Sequence, residues 1–143
     1  MGERILIFER HPLSRRSAIF EESDNAAWLY LTDPDDLRPI RDVWVFNRIE
    51  APERNELQRY ASEPPPAAAG FAGPDALCRD AEQHAWSLRW SPDGAAVALL
   101  KDGAPAAFVS AKDERGVSVN LLRDGPWGHP WDAQAYAALF VTQ

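Results

Sequence analysis

The chain has 143 residues, 45% hydrophobic and 26% charged, with 22 acidic against 15 basic side chains and a net charge of −7. Such a composition excludes disordered, collagen-like and coiled-coil chains, and the length suits about one domain with a core of its own. The acidic balance argues against a nucleic-acid footprint, and the single cysteine, Cys78, allows neither an intrachain disulfide nor a thiolate metal cluster.

The apolar run at positions 5–8 is too short for a signal-peptide core, which needs roughly 7 to 15 residues. The longest run elsewhere, 95–100, falls far below the ~20 residues of a membrane helix. The expectation is a soluble, cytoplasmic protein whose lone thiol stays reduced.

In chain order, residues 5–9 predict a short strand ended by His11-Pro12. Residues 16–22 and 26–32 predict a hairpin around Ser23-Asp24-Asn25, side chains that suit turns. In the second arm Trp28 and Tyr30 share one face and Leu29 and Leu31 the other, so both faces should be covered. Asp33-Pro34-Asp35-Asp36 is a turn, and 42–49, dense in β-branched and aromatic residues, is a strand. Residues 51–61 have helical character, with Leu57, Tyr60 and Ala61 on one stripe. The Pro/Ala/Gly-rich stretch 62–75 reads as an internal connector within a single domain spanning 1–143. A short helix follows at 74–83.

Runs at 85–90, 95–100, 106–111 and 117–122 predict a four-stranded antiparallel meander. Its turns are Ser91-Pro92-Asp93-Gly94, Asp102-Gly103 and a charged loop at 112–116. Trp28, Trp44, Trp86 and Trp90 belong to the core. A Gly/Pro-rich loop carries Trp127 and Trp131, and Asp132 caps a last helix over 133–140. The predicted class is mainly β or α+β: an antiparallel sheet or open barrel of about eight strands with two or three short helices.

The Trp90-Ser91-Pro92-Asp93-Gly94 turn resembles the blade motif of TolB-type β-propellers. That motif should recur about every 40 residues, and it occurs once, so here it implies only a tight turn. Residues 90–116, from Trp90 through Lys101-Asp102-Gly103-Ala104-Pro105 to Arg115-Gly116, also resemble a bacterial family known only as a domain of unknown function. The resemblance rests on turn and core residues and implies no catalytic group.

His11, His84 and His129 lack the His-x-His or His-x-x-x-His spacing of a zinc site, and Asp33-x-Asp35-Asp36 lacks the remaining elements of a calcium loop. No metal and no cofactor are therefore expected. Cys78 reads as a small buried hydrophobe. Six acids, Glu21, Glu22, Asp24, Asp33, Asp35 and Asp36, fall within 21–37 with no Lys or Arg among them. With Trp127 and Trp131 they form the predicted partner-binding set, an acidic patch that steers a basic protein and aromatics that anchor it. The expected function is non-enzymatic: an immunity or antitoxin-type protein of bacteria that neutralises a cognate toxin by binding it. The competing readings are a small enzyme assembled from His84, His129 and Asp132, and a housekeeping domain that holds a small ligand through its aromatics.

Overall fold

The computed structural model describes residues 4–141. Among these residues, nine strands form two sheets. The first carries β1 (Leu6–Arg10), β2 (Ser17–Glu22), β3 (Ala26–Thr32) and β4 (Pro39–Asn47) in that order, all antiparallel. The second carries β5 (Trp86–Trp90), β6 (Ala96–Lys101), β7 (Ala104–Ser110), β8 (Asp113–Ser118) and the two-residue β9 (His129–Pro130), with β9 parallel to β8. The class is thus mainly β, as expected, but the strands divide between two sheets and no barrel closes.

The sheets share one core. Phe20, Leu29, Leu31 and Val45 from the first pack with Val97, Leu99 and Val109 from the second, all buried. Each such side chain stabilises the fold by roughly 1.5–3 kcal/mol. The opposite face of β3 is also covered: Trp28 joins Trp44, Trp127 and Phe71 in a second cluster, with Tyr30 at its margin. Gly116 lets β8 approach β4, because a Cβ there would lie 2.6 Å from both the Asp42 carbonyl oxygen and the Val43 Cβ.

The meander lies where the turn chemistry puts it. Lys101 pairs with Ala104 across Asp102-Gly103, both at positive φ, as the tight hairpin turn requires. The charged loop expected at 112–116 is instead mostly strand. The chain turns at Ala111-Lys112, Ser110 pairs with Asp113, and Arg115 reaches back to the Asp113 carboxylate on the exposed end of β8. Trp86 and Trp90 are only partly buried against the shared core. The predicted helix over 74–83 contracts to the 3₁₀ turn Ala81–Gln83. That over 51–61 becomes the 3₁₀ helix Arg54–Tyr60, opened by a Glu53/Glu56 capping box and burying no residue. Asp132 caps α1 (Ala133–Tyr136), accepting from the Ala135 amide at 3.0 Å, and the chain continues as a wider π turn, Ala137–Val141.

The connector proves to be structural. Ala67 and Ala68 are fully buried. Prolines offer carbonyls but no amides, and two successive ones take indoles: Pro65 from Trp28 at 3.0 Å and Pro66 from Trp127 at 2.9 Å. The buried side chain of Asn47 then grips Ala67 from both sides. Its Oδ1 accepts from the Ala67 amide at 2.9 Å and from Trp44 Nε1 at 2.8 Å, and its Nδ2 donates to the Ala67 carbonyl at 2.9 Å. Its backbone bonds to Ala76 and Cys78 at 2.8 and 2.7 Å. Asn47→Ala leaves three buried groups without partners and should lower stability by about 3 kcal/mol or more. Urea denaturation checks this, and an unchanged midpoint would refute the role given to Asn47.

Candidate functional site

The acidic stretch does not survive folding as a bare patch. Arginines come to it: from afar in sequence, Arg10 and Arg15 both pair with Asp35 and Arg4 pairs with Asp24 at 2.9 Å, while the nearby Arg38 pairs with Asp33. Asp36 accepts from the Arg38 amide. Arg15 holds the Asp35 carboxyl below its ordinary value. Glu22 is a correction: it is buried, accepts from the Ile5 amide at 2.9 Å and lies 2.9 Å from Arg48 Nε. That Nε is outside hydrogen-bonding alignment, so the Arg48 contact is Coulombic. Trp127 is another correction, only 3% exposed and packed on Phe71 at 4.9 Å between ring centres. Both groups build the interior and offer no surface to a partner. Trp131 is partly buried against Phe108 and Tyr136.

Glu21 differs from its neighbours. Strand alternation sends Phe20 and Glu22 inward and Ile19 and Glu21 to the outer face of the first sheet. On that face Phe8 pairs with Ile19 and Ile19 with Tyr30, an apolar stripe across three strands. Leu6 pairs with Glu21, and Asp42 pairs with Tyr30. Leu6 and Phe8, on the edge strand, are 66% and 52% exposed. Beside them an open hollow of about 490 Å³ is lined by Phe8, Arg10, Arg15, Asp35 and Leu37. Among the described residues neither Glu21 nor Asp42 forms an ion pair. Burial pushes the Asp42 carboxyl up, and burial, then Glu21 and Asp42, push the Tyr30 phenol up to about 12. Asp42 and Phe8 were not singled out in the sequence, and Tyr30 only as a residue on one face of its strand. Alternation placed them on faces, but only the pairing register brings them together.

The three histidines keep separate company. His11 Nδ1 accepts from the Leu13 and Ser14 amides at 3.2 Å, and its ring lies 5.2 Å from that of Trp90. His129 Nδ1 meets Asp124 at 2.7 Å, in a hollow of about 390 Å³ that also exposes Arg115 and Asp132. Among the described residues, no Ser, Thr or Cys lines that hollow. His84 Nδ1 meets Asp102 at 2.7 Å, and its Nε2 faces Asp80 at 3.5 Å. Cys78 Sγ also points to Asp80, at 3.5 Å. Cys78, Asp80 and His84 form the one group of three metal-ligand side chains among the described residues. Burial pushes the Cys78 thiol up, an inert rather than nucleophilic setting. The spacing Cys-x-Asp-x-x-x-His was visible in the sequence, but it matches no standard signature, and the irregular chain path alone makes it converge.

No family model, curated protein or solved structure matches the chain. Among the described residues, no helix is long and apolar enough to cross a membrane.

The Tyr30 phenol has a measurable consequence. An unfolded phenol titrates near 10, and Tyr30 holds its proton to about 12. The stabilisation is complete below pH ~10 and is lost as pH rises toward ~12, because the unfolded chain releases a proton that the folded one retains. Urea midpoints should fall across that window less steeply in Tyr30→Phe than in the wild type. Parallel curves would refute the assignment.

Proposed function

We propose that this protein is a non-enzymatic binding domain of the immunity or antitoxin type, which neutralises a basic protein in the cytoplasm by covering it. The contact surface in this proposal is the outer face of the first sheet, centred on Phe8, Ile19 and Tyr30 with Glu21 and Asp42. The observation that carries it is the combination on that face. Among the described residues, an apolar stripe that no element covers at its β1 end sits beside two carboxylates that form no ion pair. A Lys or Arg from a partner would satisfy the carboxylates and lie over the Tyr30 ring, while apolar partner side chains would cover Leu6 and Phe8. The free edge of β1 adds backbone donors and acceptors to the same surface. Compared with the set expected from sequence, the reading keeps Glu21 as the central acid and moves the weight away from the neutralised Asp33–Asp36 turn.

The test is neutralisation and binding kinetics with the product of the gene directly upstream, which this proposal requires to be a toxin. Co-expression should rescue cells from that protein, and Phe8→Ala with Tyr30→Ala should abolish the rescue. Glu21→Lys should slow association at low salt, with a difference that shrinks as the Debye length falls below about 8 Å. Full rescue by the Phe8/Tyr30 variant would overturn the proposal.

A further inference from the structure

We propose that Cys78, Asp80 and His84 bind one transition-metal ion of the Zn²⁺ class, with Asp102 as the group that orients His84. The site lies away from the proposed binding face, and its test is independent of that reading.

The backbone brings the three side chains together. The Cys78 amide is tied to the Asn47 carbonyl at 2.7 Å, so the thiol is fixed against the end of β4. Asp80 and His84 bracket the single 3₁₀ turn Ala81–Gln83, which is closed by the His84 amide on the Ala81 carbonyl at 3.1 Å. The same carbonyl accepts from Trp86 Nε1 at 2.9 Å, and Ala81 itself is fully buried.

The donor spacing suits a tetrahedral ion. Bonds of about 2.3 Å to sulfur and about 2.0–2.2 Å to nitrogen and oxygen imply donor-to-donor edges of about 3.4–3.6 Å. Cys78 Sγ and His84 Nε2 each lie 3.5 Å from the same Asp80 oxygen. The donor atoms of all three residues lie within 4.8 Å of one another. The 3.5 Å contact from Nε2 is long for a hydrogen bond to a carboxylate. Three protein donors leave the fourth position for water.

The surroundings of His84 point the same way. Metal-binding imidazoles give their second ring N–H to a carboxylate, which selects the tautomer and aims the free lone pair at the metal. Asp102 takes this part: one oxygen meets His84 Nδ1 at 2.7 Å, the other accepts from the Ala85 amide at 2.8 Å. Charge also balances. A Cys78 thiolate, Asp80 and Asp102 carry three negative charges. Lys101, whose Nζ lies 5.9 Å from the centre of the Trp86 ring, offsets one. Two remain, the charge of one divalent ion. A thiolate with an imidazole favours zinc-like ions over calcium or magnesium. Binding would displace the thiol proton and pin the irregular 74–85 segment to the β6–β7 turn.

The test uses the full chain stripped with a chelator. Cobalt(II) should bind with one-to-one stoichiometry and show a thiolate-to-cobalt charge-transfer band, which zinc then removes. Cys78→Ser should abolish the band. Asp80→Ala, a change at an exposed residue that leaves the core untouched, should weaken binding at least tenfold. Asp102→Asn should weaken binding about 10- to 100-fold while keeping the band, the signature of a residue that positions a ligand. No thiolate band at saturating cobalt, or equal affinity in the wild type and the Asp80→Ala protein, would overturn the site.

Discussion

A buried primary amide at the end of β4 is the constraint on which much of this structure depends. Asn47 presents both an acceptor and a donor to the peptide of Ala67, so a stretch with no regular secondary structure is joined to a sheet as firmly as a strand would be. The same oxygen satisfies the Trp44 indole, and the backbone of Asn47 engages Ala76 and Cys78. Buried polar groups demand partners, and one side chain here supplies several at once. The consequences spread. The 62–75 segment closes over Trp28 and Trp44, the second cluster is buried, and Cys78 is placed near Asp80 and His84.

The treatment of the strand edges follows from that arrangement. The far edge of β4 has its groups engaged. The Trp44 amide donates to the Trp127 carbonyl at 3.0 Å, Asn120 Nδ2 donates to the Val45 carbonyl at 2.9 Å, and Arg41 reaches the Ala111 and Asp113 carbonyls. In the first sheet β1 has a single neighbour, β2, and carries Leu6 and Phe8 outward. One edge is spent on internal cohesion, and beside the other no further strand lies among the described residues. The proposed binding face rests on this asymmetry rather than on net charge. Most of the acidic side chains between positions 21 and 37 are held by arginines, which reduces their field at any distance beyond a few ångströms.

The Cys78, Asp80 and His84 group and the proposed binding face illustrate two different ways in which irregular and regular structure assemble chemistry. On the sheet, side chains two residues apart share a face, and register aligns Phe8, Ile19 and Tyr30 across three strands. Around Cys78 no periodicity operates. Convergence comes from a 3₁₀ turn, an indole bonded to the turn's carbonyl, and a carboxylate delivered by the Asp102-Gly103 hairpin.

Local chemistry in the sequence determined the strands from 17 to 32 and 86 to 110, the Asp102-Gly103 turn, the Asp132 cap, and the two apolar faces of β3. Alternation, positive-φ residues and free helix amides act over a few residues, so they are readable without the fold. The split into two sheets, the burial of Trp127 and Glu22, the structural role of the Pro/Ala stretch and the pairing of the acidic turn with Arg10 and Arg15 were decided only by the tertiary structure. Each of these depends on groups far apart in the chain, such as Glu22 with Arg48, Trp127 with Pro66 and Asn47 with Ala67. An indole seeking a carbonyl, or a carboxylate seeking a guanidinium, is indifferent to sequence separation once packing has brought the two within reach.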